Sequence, residues 1–227
     1  MKTNHSRNLK SKSAFTLVEM LVVIAVIAIL AGLLFPAFAV VKKKMTITKA
    51  KAELKAVALA IDSYKSKKGY YPPDHVLTLP PGGVDPIVNS LYFELSGVNN
   101  TALGFQTFDK AAIVTATDCQ TYFGQGGILN CSKNGEDGGQ PATEFIKQLR
   151  PNQYAEIVGA IRVLTCSVAW PVDKGQVVAG VDFANPWRYV SSGPTNNNGY
   201  YDLWVDIVIG DKTNRISNWD EKAQIVP

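Results

Sequence analysis

From Phe15 to Val41 the chain runs for 27 residues with one charged side chain, Glu19. A helix of that length measures about 40 Å. The hydrocarbon core of a bilayer is about 30 Å thick, so the run is long enough to span it. This constrains everything else: residues 15–41 must be covered by lipid or by other apolar helices, and whatever follows must fold separately. An ionised Glu19 about one turn inside hydrocarbon is unfavourable unless it reaches the interface or meets an opposite charge. Both readings are open from the residues alone.

Charge is distributed to match. Lys2, Arg7, Lys10 and Lys12 precede the run with no acid among residues 1–14. Of the formal net charge of +4 these four account for all, leaving 19 basic and 19 acidic residues from Phe15 onward. A formally neutral body argues against a nucleic-acid surface. The leader differs from an ordinary secretory signal, in which a small-residue cleavage site follows an apolar run of about 7–15 residues. Here the small residue, Ala14, precedes a much longer run. On composition alone an unprocessed membrane anchor fits equally well.

The order basic leader, small residue, Phe-Thr-Leu-Val-Glu, then a long apolar run resembles the class III signal of type IV pilins and pseudopilins. The resemblance implies cleavage by a membrane-embedded prepilin peptidase between Ala14 and Phe15 and methylation of the new Phe15 amine. Glu19 becomes the fifth mature residue, and Pro36 stands where the family carries its helix-kinking proline. The residue before the cut is usually Gly in the family and is Ala here. In the family the carboxylate corresponding to Glu19 neutralises the N-terminal amine of a neighbouring subunit, so assembly energy depends on axial register.

The flanks of the run conflict. Lys42, Lys43, Lys44, Lys49, Lys51 and Lys55 follow it, outnumbering the leader's four, and a plain count would place the C-terminal part in the cytoplasm. Long domains translocate largely regardless of charge, and the resemblance places the leader inside. The expectation is therefore a single-pass inner-membrane protein with a cytoplasmic N-terminus and a periplasmic head, or an extracellular filament once assembled. Cys119 and Cys131 bracket a Gly-rich, 13-residue segment and are expected to pair as a disulfide, leaving Cys166 as a buried thiol. Zinc is poorly supported, since no CxxC occurs and His75 is the sole histidine after the leader.

Beyond Val41 the helix continues in a different style. Ile47, Ala50, Leu54, Val57, Ile61 and Tyr64 recur at steps of three and four, predicting an amphipathic helix that ends near Gly69 after Lys65, Lys67 and Lys68. Pro72 and Pro73 enforce an extended path. Residues 75–140, with short apolar pieces such as SLYFEL, read as a loop-rich region with one or two short helical turns, and TEFIKQL (143–149) as a short helix capped by Thr143. AIRVLTCSVAW, QVVAGVDF, WRYVSS and YYDLWVDIVIG read as strands, with GDKTN as the turn before RISNW. The organisation is thus a cleaved leader (1–14), an apolar half-helix (15–41), an amphipathic half-helix (42–68) and a head (69–227). The expected class is α+β, pilin-like: a long helix packed on a C-terminal antiparallel sheet with a loop-rich insertion.

FANPWRYVSSGPTNNNGYYDLW and RISNW resemble the closing strands of the major pseudopilin of type II secretion. That family binds calcium through two aspartates in its final loop. Asp211 matches the first, but Arg215 stands at the second, supplying no oxygen and adding positive charge. No calcium or other cofactor is therefore expected. GxSxG, HExxH and Walker A motifs are all missing from the sequence, so a structural role is expected rather than an enzyme. The expected function is a structural subunit of a pilus-like filament, a pseudopilin of a type II protein secretion system. Its partners are copies of itself, other pseudopilins, the peptidase and an inner-membrane assembly platform. The alternative is a type IV pilin of a surface pilus serving adhesion, motility or DNA uptake.

Overall fold

The computed structural model describes residues 15–77, 83–132, 141–147 and 149–226, and within its long helix the side chains of residues 33–37 and 39 lie outside the description. The chain divides into two units, Met1–Lys44 and Met45–Pro227. Helix α1, Leu17–Lys68, forms the described part of the first unit apart from Phe15 and Thr16, and opens the second. The leader and Ala14 lie outside the described residues, as does the side chain of Pro36.

In the second unit the amphipathic stripe behaves as its spacing requires. Ala50, Leu54, Val57, Ile61 and Tyr64 are buried and Ile47 is half-buried, whereas Leu59, off the stripe, stays exposed. Gly69 ends the helix at φ 88°, its N–H donating to the Lys65 carbonyl at 2.8 Å. Glycine takes that left-handed conformation without the steric penalty that other residues incur.

The stripe joins a core shared with a four-stranded antiparallel sheet near the C-terminus. In chain order the elements before that sheet are β1 (His75–Val76), β2 (Val84–Asp85), α2 (Leu91–Ser96), β3 (Val98–Thr101), β4 (Gly104–Thr107), β5 (Ile113–Val114), α3 (Ala116–Phe123), β6 (Tyr154–Val158) and β7 (Ile161–Leu164). The sheet itself comprises β8 (Arg188–Val190), β9 (Asp202–Ile209), β10 (Lys212–Ser217) and β11 (Gln224–Val226), in the order β11-β10-β9-β8. Along β9 the period of two puts Leu203, Val205 and Ile207 into the core and Trp204, Asp206 and Val208 on the other face. The fold is α+β.

The prolines after α1 lack N–H groups, but their carbonyls accept from β8 and from the start of α2. The Tyr189 hydroxyl donates to the Pro72 carbonyl at 2.8 Å, and the Ser90 hydroxyl to that of Pro73 at 3.1 Å. Asp74 accepts the N–H groups of Ser191 and Ser192 at 2.7 and 2.8 Å, fixing the extended segment beside β8.

The middle of the chain is organised by Glu94, an acid with no exposed surface. It accepts the Tyr64 hydroxyl from α1 at 2.8 Å and the N–H groups of Leu129 and Asn130 at 2.8 and 2.9 Å. The Asn130 amide donates onward to the carbonyls of Glu94 and Thr143, both at 2.7 Å. SLYFEL is therefore a helix whose acid points inward.

Several expected elements differ. TEFIKQL is not helical among its described residues. Thr143, its expected cap, donates its N–H to Asn130 Oδ1 and accepts Lys67 Nζ, and the N–H groups of Phe145 and Ile146 go to the Leu95 carbonyl. QVVAGVDF is not a strand: Gly180, at φ 80°, folds it back so that Val178 bridges Val181. GDKTN contracts to a two-residue turn, Gly210–Asp211, because Lys212 already pairs with Ile209. Cys119, Cys131 and Cys166 are all free thiols, so the expected Cys119–Cys131 bridge is not formed. Cys119 is buried on α3 and Cys131 bridges Val98, while Glu94 ties down the segment between them.

Glu94→Gln should destabilise the protein by about 1–3 kcal/mol, because the amide has one acceptor oxygen and leaves a buried N–H, of Leu129 or Asn130, unpaired. Burial pushes the folded Glu94 carboxyl above its ordinary value of 4.5, against the three donors and the charge of Lys68. Its favourable contribution is thus fully present below pH 4.5 and declines as pH rises through the raised folded value. Urea unfolding from pH 4 upward should show that decline in the parent and not in Glu94→Gln, with the gap between them largest in acid.

Candidate functional site

The start of α1 is built from Thr16 and Glu19. Phe15 and Thr16 lie outside the helix, and Leu17 is its first residue. Glu19 Oε2 accepts both the Thr16 N–H and the Thr16 hydroxyl at 2.8 Å, and the Glu19 N–H donates back to Thr16 Oγ1 at 3.2 Å. This reciprocal arrangement is a capping box, with Thr16 as cap and Glu19 three residues on. The signature T-x-x-E stands in the sequence at residues 16–19, beneath the more conspicuous fact that Glu19 is the one acid of an apolar run. Its local role is to satisfy N–H groups that open the helix.

One carboxylate oxygen therefore serves the chain's own helix start. Among the described residues Oε1 has no hydrogen-bond partner, so it is the atom able to meet a charge from outside. The bond between Ala14 and Phe15 precedes the first helical residue; Phe15 itself is 68% exposed. A peptide bond ahead of the helical ladder can be held extended by a processing enzyme without unwinding a turn.

Past Glu19 the described helix is apolar all round. Leu21, Val22, Ile24, Ile27, Ile29 and Leu30 are spread round the helix, and each is more than half exposed. Such a surface needs lipid or other helices against it. Among the described residues no helix is long and apolar enough to cross a membrane; the described side chains of the apolar run break at residues 33–37.

The second region to examine is the closing hairpin, where the resemblance implies calcium. Asp211 sits exposed on the two-residue turn. Arg215 grips Asp206 through two hydrogen bonds of 2.8 and 3.0 Å, with its guanidinium 5.8 Å from the Trp204 ring centroid. Among the described residues no three His, Cys, Asp or Glu side chains gather as a metal site. A hard cation that needs six or more oxygens does not fit beside a fixed guanidinium. Asp202 is committed as well, accepting the N–H groups of Thr195, Asn196 and Asn197 at 2.9, 3.0 and 2.9 Å.

Thr16→Ala should remove the hydroxyl that accepts the Glu19 N–H and donates to its carboxylate. Amide hydrogen exchange of Leu17, Val18 and Glu19, measured in micelles, should then be severalfold faster than in the parent, with the amides around Ile61 unchanged.

Comparison with known proteins agrees with this geometry. The family model described as the prokaryotic N-terminal methylation motif matches residues 9–35, which include the leader's end, Phe15, the capping box and the apolar helix start. A curated relative, the type II secretion system core protein G of Pseudomonas aeruginosa, is 38% identical over 63 residues, which is 28% of this chain and 44% of that protein. The chain thus spans less than half the length of the curated relative it matches. No solved structure matches it. The chain carries the prokaryotic N-terminal methylation motif at the start of its long helix, and over the aligned stretch it is similar to a major pseudopilin.

Proposed function

We propose that the protein is a structural subunit of a pilus-like filament, a pseudopilin of a type II secretion system, that assembles through the apolar half of its N-terminal helix. The observation that carries this reading is the conjunction at residues 14–19: a matched methylation motif, a scissile bond ahead of the helix, and an acid with one oxygen in its own cap and the other available. Similarity to core protein G favours secretion over a surface pilus serving adhesion, motility or DNA uptake. A prepilin peptidase cuts between Ala14 and Phe15 and the Phe15 amine is methylated. Before assembly the subunit is held in the inner membrane by residues 15–41, leader inside and head in the periplasm, where an assembly platform receives it. Its filament partners are copies of itself and other pseudopilins, and its role is structural rather than catalytic.

The assembly step follows from charge. The methylated amine of Phe15 is cationic, and desolvating it among apolar helices is unfavourable without an anion. Glu19 Oε1 of a neighbouring subunit supplies that anion in one axial register, while Oε2 remains in the capping box. Helix–helix contact provides area, and the ion pair selects the register.

Two measurements test this. Intact mass of protein from membranes should give a mature chain that begins at N-methylated Phe15; a chain starting at Met1 overturns the processing step. Glu19→Gln separates capping from charge, since Gln still completes a capping box but carries no anion. It should insert, be cleaved and fold its head normally yet yield few or no sheared filaments. Glu19→Asp should retain part of the yield. Normal filaments from Glu19→Gln would show that the acid serves the helix cap alone.

A further inference from the structure

The face of the four-stranded sheet turned away from the core holds an unusual row. Arg188 pairs across strands with Trp204, and Trp204 with Ser217, so the three side chains lie side by side on β8, β9 and β10. Arg188 is 9% exposed and, among the described residues, its side chain forms no hydrogen bond or ion pair. Its Nη1, the Trp204 Nε1 and the Ser217 Oγ are all buried without a partner. Buried polar groups are paired in the great majority of cases, so three adjacent unpaired ones are an exception, and one of them belongs to a cation.

The carboxylates of that face are already committed. Asp206 is held by Arg215 in a two-point pair, and Asp202 is turned into the loop at residues 195–197. Burial lowers the tendency of Arg188 to hold its proton, Asp206 opposing and Arg215 adding to the effect. The charge of Asp206 thus acts on Arg188 without bonding to it, and what the row lacks is an acceptor that its three donors can reach. Beside Trp204 opens a cleft of about 430 Å³, walled also by Arg215, Trp219, Val190, Asn196 and the committed Asp202.

We infer that Arg188, Trp204 and Ser217 form a binding site for a carboxylate group on the outer face of the sheet. A carboxylate offers two oxygens with about four acceptor positions, enough for the three unpaired donors, and charge for the guanidinium. A water molecule satisfies donors but not the charge, and chloride lacks the paired oxygens. The group can come from a free small acid or from an Asp or Glu of a second copy of this chain. The site does not depend on the filament reading, since it lies wholly within the second unit.

The test uses the full chain in detergent micelles, with acetate and chloride compared at equal pH and ionic strength. Acetate at saturating concentration should raise Tm by about 2–4 °C over chloride. Arg188→Met should abolish that difference and leave Tm in chloride unchanged or higher, because an unpaired buried charge has been removed. Where Arg188→Met does not fold, Trp204→Phe and Ser217→Ala, each deleting one donor, should each reduce the acetate effect. Self-association weakened by acetate and by these variants assigns the carboxylate to a second copy; an acetate effect on a chain that stays monomeric assigns it to a free acid. Equal Tm in acetate and chloride, with no acetate-sensitive self-association, overturns the site. So does an acetate effect that survives all three substitutions.

Discussion

The head depends on one buried acid. Glu94 lies where helix α1, helix α2 and the segment at residues 128–131 meet, and its two oxygens collect donors from two of them while its backbone belongs to the third. Taken singly each bond is ordinary. Together they convert a Gly-rich stretch with little intrinsic preference into a fixed part of the core, because an unpaired carboxylate or an unpaired N–H at that depth would be strongly unfavourable. Aromatic packing then fills in around the polar centre, with Tyr64 and Phe145 ring centroids 5.2 Å apart and those of Phe93 and Phe123 5.8 Å apart. The absence of the Cys119–Cys131 bridge is understandable in this light, since the loop it would have closed is already anchored at Leu129 and Asn130.

The first unit obeys a different constraint. Its described apolar side chains lie on every side of the helix and are largely exposed, so its stability as a folded object is set by its surroundings. In hydrocarbon the helix satisfies its own backbone, except at its first turn, where the opening N–H groups have no carbonyl to meet. Thr16 and Glu19 close part of that gap. A carboxylate at this position thus answers a local need of the helix with one of its oxygens.

At the closing hairpin, Arg215 occupies with a fixed guanidinium the region where the family resemblance places calcium. Its two bonds to Asp206 join neighbouring strands across the register Arg215–Asp206, doing by covalently tethered charge what a cation would do by coordination. That pairing also takes up both oxygens of Asp206, so its charge favours the Arg188 cation without a hydrogen bond to it. The position of one arginine therefore bears on both the metal question and the donor row.

How much of this was legible in advance follows from where each interaction's partners sit. The apolar run with its single acid, the stripe from Ile47 to Tyr64, the stop at Gly69 and the alternation along β9 are properties of neighbouring residues, and the sequence by itself determined them. The resemblance at residues 14–19 was legible for the same reason. The capping box is written there too, as T-x-x-E, a local signature that the apolar run with its single acid overshadows. Tertiary structure alone decided the rest. Nothing near Glu94 in the chain announces that its partners are Tyr64, Leu129 and Asn130, at separations of 30 residues and more. Strand β6 went unread, TEFIKQL lost its helix to donors claimed by Asn130 and Leu95, and QVVAGVDF folded back at Gly180. Local pattern sets what a segment can do at low energy; which distant donor or acceptor it must satisfy is fixed only when the chain closes around it.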